Sequence, residues 1–335
     1  MTRILFATQV LDARHPFLGA TAAKVRALAA RVDEVVVLAA AGSLAGEPEN
    51  VRLRSFAAPS QALRGARFEA ALAAELLRGR PLAIVAHMSP VFALLAAPAA
   101  RPLRIPLLLW FTQQGSGAAL ARAERVVDAI LTVDERSVPL DSPKVLPVGH
   151  GIDVEALPCV GERTPPLRRL LGLGRYAPVK GWDTVLRALA ELPEARLELH
   201  GPLATEADRA HRPELERLAA ELGVADRVEL GGEVPYAEVP RLFEEADALV
   251  NATRGNAADK VVYEAAAACL PVFAASPVFD ELLPESLRFP VDDPAALAAR
   301  IRGYAGGAGP ALRDRVAAAH SAAHWAEQVL AAVAS

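Results

Sequence analysis

Cysteine is scarce in this chain of 335 residues, which contains only Cys159 and Cys269. Two cysteines are too few for a disulfide framework or a structural zinc site, and we expect both thiols to be reduced. The first ten residues, MTRILFATQV, lack the longer apolar stretch and the small-residue cleavage site of a signal peptide. These absences predict a cytoplasmic protein.

Basic stretches and long apolar runs are missing as well. The formal net charge is −4 and no segment is dense in Arg and Lys, which argues against a nucleic-acid partner. Arginines and prolines interrupt the most apolar region, residues 90–111, whereas a transmembrane helix needs about 20 mostly apolar residues. We therefore expect no transmembrane segment. Two interpretations stay open for Arg64, Arg67, Arg78 and Arg80: a solvated helix face, which is favoured, and a peripheral contact with the inner face of a membrane.

Short apolar runs alternate with longer amphipathic segments, and this alternation occurs twice. In the first half, strands are predicted at residues 3–8, 35–38, 82–86, 107–111 and 130–133. In the second half, strands are predicted at 170–174, 196–200, 228–230, 249–251 and 272–275, and helices at 182–191, 213–222, 240–246 and 260–268. Continuous aliphatic strands separated by helices are typical of parallel sheets covered on both faces.

Two doubly wound, Rossmann-like α/β domains are therefore predicted, facing each other across a cleft, with the first at residues 1–150 and the second at 151–319. Open parallel sheets bind ligands beyond the carboxyl ends of their strands, so the loops after the strands should carry the chemistry. Neither half contains the Gly-x-Gly-x-x-Gly fingerprint of a nicotinamide dehydrogenase.

The strongest local pattern is GRYAPVKGWD at residues 174–183, which follows a predicted strand and leads into a predicted helix. It places two cations, Arg175 and Lys180, at the strand end. A pyrophosphate leaving group needs fixed positive charge while negative charge develops on it. The guanidinium of Arg can donate two parallel hydrogen bonds, and the ammonium of Lys supplies a compact point charge. Two surface cations beside a proline turn are the alternative interpretation.

A second pattern extends from Asn251 to Pro271, where a predicted strand ends in a small, polar loop before a helix with Asp259, Lys260 and Glu264. Backbone N–H groups at such a helix start form an anion site. An exposed i,i+4 pair of Lys260 and Glu264 is the simple alternative. The neighbouring valines and alanines instead predict a largely buried helix, in which the carboxylate needs a polar partner such as ribose hydroxyls.

Two histidines in the first half are candidates for contact with a sugar or an acceptor. His87 follows the strand at 82–86 and is expected at the cleft, in position to hydrogen bond a sugar, and His15, beside Pro16, is placed to reach an acceptor. No Asp-x-Asp follows a strand and no His or Cys residues cluster, so no metal site is predicted.

Together these segments resemble the retaining glycosyltransferases of family four, which have the GT-B fold. Residues 174–183 match that family's GR-x-x-x-x-KG-(Phe/Trp)-(Asp/Glu) stretch. The family's Glu-(seven residues)-Glu motif runs into EAMA-x-G-x-PV, and residues 264–272, EAAAACLPV, match its second half. Gly149–Asp153 is similar to the family's NGID linker, and Leu230–Val234 to its F-x-G-x-V loop beside the base. The resemblance covers nearly the whole chain and is most specific in the second half.

The resemblance implies that Arg175 and Lys180 bind the donor diphosphate, that Glu264 binds the ribose hydroxyls, and that the amides of Val261 and Val262 face the phosphates. It also implies that the C-terminal helix at 320–335 packs back on the first domain. His87 is a candidate for catalysis, together with Arg175 and Lys180. Candidates for binding the donor are Gly19, Asn256, Asp259 and Lys260, and candidates for binding the base are Gly232 and Val234. Candidates for binding the acceptor are His15, Thr112 and Gln113.

The chain departs from the family pattern at three places. Asn256 replaces the first Glu, which usually holds sugar hydroxyls of the donor. Ala20 follows Gly19 where the family often has a pair of glycines, and Gln113 and Gln114 stand where a His is common. The departure at Asn256 concerns the donor sugar and that at Gln113 concerns the acceptor, and neither touches the nucleotide site.

The expected enzyme is a retaining hexosyltransferase with a nucleoside-diphosphate sugar as co-substrate, UDP being favoured over GDP, and with no further cofactor. The acceptor would be a small molecule, a glycan or a lipid-linked sugar. A nucleotide-sugar epimerase or hydrolase on the same fold is the nearest alternative. A non-catalytic subunit that binds nucleotide sugar for a partner enzyme is another, and only Asn256 and Gln113 favour it.

The absence of a metal-ligand pattern generates a first prediction. Because fixed cations and a helix start would balance the charge of the leaving diphosphate, turnover should survive EDTA. The measurement is the initial rate of donor consumption with and without the chelator. Complete loss of activity that Mg²⁺ or Mn²⁺ restores would contradict it.

Overall fold

A computed structural model describes residues 2–15, 18–115 and 117–334. The chain divides into two compact units, Met1–Asp153 with Ala319–Ser335 and Val154–Ala318. In the described part of the chain, no helix combines the length and the apolar composition needed to cross a membrane.

The first unit is built on a parallel sheet of seven strands. Its strands are β1 (Arg3–Leu11), β2 (Glu34–Gly42), β3 (Val51–Ser55), β4 (Ala83–His87), β5 (Leu107–Trp110), β6 (Ala129–Thr132) and β7 (Val145–Pro147), and its helices before the second unit are α1 (Thr21–Ala29), α2 (Gln61–Leu77), α3 (Pro90–Ala100) and α4 (Gly117–Glu124). The strand order is β3-β2-β1-β4-β5-β6-β7. Ile4 pairs with Val35 on one side and with Ala83 on the other, so the chain changes direction across the sheet between β1 and β4.

The second unit has a parallel sheet of five strands in the order β10-β9-β8-β11-β12. The strands are β8 (Arg169–Leu173), β9 (Arg196–His200), β10 (Val228–Leu230), β11 (Ala248–Asn251) and β12 (Val272–Ala274), and the helices are α5 (Trp182–Ala190), α6 (Glu206–Glu221), α7 (Val239–Glu245), α8 (Lys260–Ala267), α9 (Pro294–Arg302) and α10 (Gly309–Ala319). Both sheets have the parallel, helix-separated arrangement that the sequence predicts.

The last helix, α11 (Ala322–Ala334), belongs to the first unit. Its Trp325 is fully buried, with its ring centroid 6.5 Å from that of Phe6 and 6.0 Å from that of Trp110. The Nζ atom of Lys24 lies 5.4 Å from the Trp110 ring centroid and 5.8 Å from that of Trp325. A cation held between two indole rings therefore joins α1, β5 and α11.

Helix α6 differs from its prediction, which began it at Pro213. The helix starts seven residues earlier because Thr205 and Asp208 form a capping box: Asp208 N donates to Thr205 Oγ1 at 3.1 Å, and Thr205 N donates to Asp208 Oδ2 at 2.9 Å. Pro213 lies inside the helix. Strands β3 and β7 were not predicted. Arg52 and Arg54 interrupt the apolar pattern of β3, and both pair with the buried carboxylate of Glu75 at 2.8 Å.

The expectation of two reduced thiols is wrong, because Cys159 and Cys269 form a disulfide with a Cα–Cα distance of 5.0 Å. Cys269 is buried just after α8, and Val160 N donates to Ala268 O at 2.9 Å, which holds the two segments side by side. The cysteines are 110 residues apart in sequence, so only the tertiary structure brings them together.

The disulfide generates a second prediction. Cys159→Ser should lower the free energy of unfolding of the oxidised protein by about 2–5 kcal/mol, since a long loop is no longer closed in the unfolded chain. Urea denaturation measures the change, with Cys269→Ser as the matched control. Wild-type protein in reductant should unfold like either variant. Equal unfolding midpoints of wild type and variants without reductant would contradict the prediction.

Candidate functional site

Residues 174–183 follow β8 and pack against the loop after β11. Pro178–Lys180 form a single 3₁₀ turn, and Gly181 has a φ of 65°, which favours glycine. A Cβ at Gly181 would also collide with the carbonyl oxygen of Ala252. The glycine therefore allows the two strand-end loops to approach each other closely.

Lys180 lies at the centre of this contact. Its Nζ is 2.6 Å from Oδ1 of Asp259, the residue before α8. The other oxygen, Oδ2, accepts hydrogen bonds from Asn251 Nδ2 at 2.9 Å and from Thr253 Oγ1 at 2.5 Å. Burial raises the pKa of Asp259, but the charge of Lys180 and the hydrogen bonds outweigh burial, so the pKa lies below its ordinary value. Asp259 is therefore an anion that is fixed beside Lys180.

Arg175 has a different partner. Its Nη1 lies 3.4 Å from Oδ2 of the buried Asp208 in α6, and its side chain is 42% exposed. The structure thus places both predicted phosphate-binding cations at the carboxyl end of the five-stranded sheet, but pairs them with separate carboxylates. The partner of Arg175 lies 33 residues away in sequence, which no local pattern reveals.

Glu264 is buried in α8, with 3% of its side chain exposed, as the apolar neighbours predict. Its Oε1 accepts a hydrogen bond from Tyr236 Oη at 2.6 Å and lies 2.8 Å from Lys260 Nζ. The Lys260 ammonium is also 4.1 Å from the Tyr236 ring centroid. The i,i+4 pair therefore exists, but inside a polar cluster and not on an exposed face. The sequence did not identify Tyr236 as a site residue. Its one signal there is that it closely follows Gly232 and Val234, the candidates for the base.

The loop that contains Asn256 is anchored by Arg254, which sequence reasoning also missed. Nη2 of Arg254 lies 2.9 Å from both carboxylate oxygens of Asp183, and Nε lies 2.7 Å from Asp292 Oδ1. Its backbone N donates to Val179 O at 2.8 Å. Asn256 itself is half-buried two residues further on. The Arg–Asp bonds fix the position of this loop against residues 178–183.

Gly232 and Val234, the candidates for the base, follow β10. The carbonyl oxygen of Gly232 accepts a hydrogen bond from Gly201 N at 2.9 Å, Gly232 is exposed and Val234 is half-buried. The neighbouring Gly231 is the one with a steric requirement, because a Cβ there would collide with the His200 ring.

The first-unit candidates follow β1 and β5. Gly19 is buried just before α1, and its N donates to His15 O at 2.9 Å. Nδ1 of His15 accepts from Leu18 N at 3.2 Å, so the imidazole closes a local turn; Pro16 lies outside the described residues. Thr112 donates to Ser137 Oγ at 3.3 Å, and Gln113 is exposed.

His87 ends β4, but its side chain is only 3% exposed. Its Nδ1 lies 3.2 Å from Thr8 Oγ1, and its ring centroid is 5.3 Å from that of Phe6. Burial, and secondly the charge of Lys24, hold the pKa of His87 well below its ordinary value. The imidazole is thus a neutral group in the core, not the open ligand expected from its position after a strand. Of the described residues, no three His, Cys, Asp or Glu side chains are grouped to hold a metal ion.

Comparison with known proteins gives a match within the second unit. The family model described as Glycosyl transferases group 1 matches residues 168–305. A D-inositol 3-phosphate glycosyltransferase of Streptomyces scabiei is 31% identical over 157 residues, which cover 42% of this chain and 35% of that protein. The protein of the same name from Thermobispora bispora is 38% identical over 119 residues, 32% of this chain and 27% of the relative. The chain thus matches only about a third of the length of these curated relatives.

Solved structures match the chain over nearly its whole length. HepE of Anabaena, in complex with UDP and glucose, has a TM-score of 0.76 at 18% identity and covers 100% of both chains. Sucrose-phosphate synthase of Thermosynechococcus elongatus has a TM-score of 0.74 at 16% identity, and the match covers 98% of this chain and 97% of the synthase chain. These likenesses confirm the predicted fold class, the GT-B architecture of two Rossmann-like α/β domains.

The environment of His87 generates a third prediction. The folded protein keeps this imidazole neutral, whereas in the unfolded chain it binds a proton below about pH 6.5. The unfolded state therefore binds one proton more than the folded state, and the free energy of unfolding should fall as the pH decreases. His87→Asn should make this fall shallower by up to about 1.4 kcal/mol per pH unit. Urea denaturation between pH 7 and 5 measures both slopes. Identical slopes would contradict a neutral, buried His87.

Proposed function

We propose that the chain transfers a hexose from a nucleoside-diphosphate sugar to an acceptor hydroxyl with retention of configuration. Its residues 168–305 match the family described as Glycosyl transferases group 1. The second unit binds the donor and the first binds the acceptor. UDP is the nucleotide that we favour, and a structurally similar protein, HepE, is known in complexes with UDP, with UDP-glucose and with UDP and glucose.

The observation that carries this proposal is the pair of polar clusters at the start of α8. Lys180 with Asp259 and Lys260 with Glu264 place two cations and two carboxylates where the strands β8 and β11 end. A diphosphate needs the cations and the backbone N–H groups of the helix start, and a ribose needs an acceptor for its hydroxyls. Both requirements are met where the loop after β8 contacts the start of α8.

Each lysine is already balanced by a carboxylate, at 2.6 Å for Lys180 and 2.8 Å for Lys260. Donor binding therefore adds an anion to clusters that are close to neutral. The N–H group of Val261, together with the half-exposed Arg175, supplies the additional attraction. The N–H group of Val262, also expected to face the phosphates, instead donates to Asp259 O at 3.1 Å. Asp259 is a positioning residue in this scheme, because it holds Nζ of Lys180 near the helix start.

In the transfer step, the bond between the anomeric carbon and the diphosphate oxygen breaks while the acceptor oxygen bonds to the same face of the sugar. The acceptor proton passes to the leaving diphosphate, so no separate general base is needed. Lys180 and the start of α8 stabilise the charge that develops on the diphosphate. Asn256 donates to and accepts from sugar hydroxyls, since an amide does both.

Donor turnover with and without acceptors tests the proposed reaction against its alternatives. A transferase consumes UDP-sugar much faster when a suitable acceptor is present. A hydrolase releases free sugar without one, and an epimerase changes the sugar while it stays bound to UDP. A non-catalytic subunit binds UDP-sugar and leaves it unchanged, which would overturn the proposal.

A fourth prediction separates the nucleotide contact from the sugar contact. Glu264→Gln should weaken binding of UDP by about 10- to 150-fold, because a hydrogen bond to a charged group contributes roughly 1.5–3 kcal/mol. Asn256→Ala should leave the affinity for UDP unchanged and weaken binding of the UDP-sugar. Calorimetric titration with both ligands measures these effects.

Tyr236→Phe is the structural control, since it removes a protein partner of Glu264 and keeps the carboxylate. If it weakens UDP binding as much as Glu264→Gln, the carboxylate acts through the fold and not on the ribose. Equal losses for UDP and UDP-sugar in the Asn256 variant would mean that the sugar lies elsewhere.

A further inference from the structure

A cavity of about 230 Å³ lies in the first unit, between α2 and α3. Gln9 near the end of β1, Phe56 just after β3 and Ser89 just after β4 all line it. The cavity is therefore at the carboxyl edge of the seven-stranded sheet, beside the point between β1 and β4 where the strand order changes direction. Open α/β sheets bind their ligands at this kind of position.

The inner wall of the cavity is aromatic. Phe56, Phe68 and Phe92 pack against one another with ring centroids 5.4 to 5.6 Å apart, and none is more than 5% exposed. Ligand sites for whole drug-sized molecules usually measure roughly 300–1,000 Å³. This smaller, apolar space therefore fits one ring-sized group of a ligand.

Gly65 keeps the space open. It lies inside α2, where glycine costs helix stability relative to alanine, and it lines the cavity on the same face as Phe68. A Cβ built on Gly65 meets no heavy atom within 4 Å. A larger side chain at this position would enter the cavity without displacing the protein around it.

Four polar side chains surround the opening: those of Gln9, Gln61, Arg64 and Ser89. Within residues 2–15, 18–115 and 117–334, none of the four side chains hydrogen bonds or forms an ion pair with another residue, although Ser89 stands at the helix position where a capping bond is common. Nearby arginines differ: Arg67 donates to Ala57 O, and Arg54 pairs with Glu75. Arg64 is thus a half-buried cation that is available to an anionic ligand.

We propose that this cavity binds the acceptor, and that the acceptor carries a ring-sized apolar group next to a carboxylate or phosphate. That the ligand is the acceptor rests on the proposed function. That a ligand of this kind binds in the cavity does not. The ring would occupy the space in front of the three phenylalanines, and the acid would pair with Arg64. Gln9 and Ser89 would orient a hydroxyl on the same ligand.

The test measures binding to the full chain, by calorimetry or ligand-observed NMR, of 4-hydroxybenzoate, phenyl phosphate and the neutral 4-hydroxybenzyl alcohol. Wild-type protein should bind an acid at least about tenfold more tightly than the alcohol, as expected for a charge-assisted hydrogen bond. The stronger of the two acids identifies the anionic group. Inositol phosphate, which lacks an apolar group, should bind more weakly than either acid.

Three variants locate the binding. Gly65→Leu should abolish binding of all three ring compounds, and Arg64→Gln should remove the preference for acids over the alcohol. Ala66→Leu is the matched control, because Ala66 is exposed on the same helix and does not line the cavity, and it should bind like wild type. Failure of both acids to bind wild type, or unchanged binding in Gly65→Leu, overturns the proposal.

UDP binding, measured on the same samples, separates this proposal from the proposed function. All variants should bind UDP like wild type, because the cavity residues belong to the first unit. If the ring acids bind and UDP does not, the proposed donor site is wrong and the cavity remains a binding site. If UDP binds and the ring acids do not, only the proposal for the cavity is wrong.

Discussion

The ion pair between Lys180 and Asp259, at 2.6 Å, joins the three segments from which the candidate donor site is built. Lys180 comes from the loop after β8, and Asp259 stands immediately before α8. Asn251 at the end of β11 and Thr253 in the following loop donate to the same carboxylate. The absence of a Cβ at Gly181 lets these segments approach one another. Lys260 and Glu264 follow directly in α8, so this contact fixes the start of the helix that carries them.

The site is consequently one of balanced charges. Lys260 and Glu264 repeat the arrangement one turn into α8, where Tyr236 donates to the carboxylate. Buried or half-buried charges of one sign would be costly without partners, and the lysines and carboxylates remove that cost for each other. A diphosphate can then be recognised by the redistribution of existing hydrogen bonds and by backbone N–H groups, without a large excess of positive charge.

The first unit shows the opposite distribution of polar groups. His87 and Lys24, which lie near one another in the core, are buried, and the pKa of His87 is held low as a result. Among residues 2–15, 18–115 and 117–334, the polar side chains around the cavity between α2 and α3 have no hydrogen-bond or ion-pair partner. Accessible polar groups of this unit thus lie beside the aromatic cavity, whereas the histidine that ends β4 is enclosed in the core.

The sequence by itself determined the alternation of strands and helices, the class of both sheets and the family pattern at residues 174–183 and 264–272. These features depend on local periodicity and on short motifs, which are visible without any contact between distant residues. The buried character of α8 is also local, because a run of valines and alanines predicts it.

Only the tertiary structure decided how the charged and polar groups are paired. Arg175 pairs with Asp208, Arg254 with Asp183 and Asp292, Glu264 with Tyr236, and Cys159 with Cys269. These partners lie 28 to 110 residues apart, and their meeting depends on strand order and loop packing. The burial of His87 has the same origin, since a strand end is open or closed according to the helices that cover it.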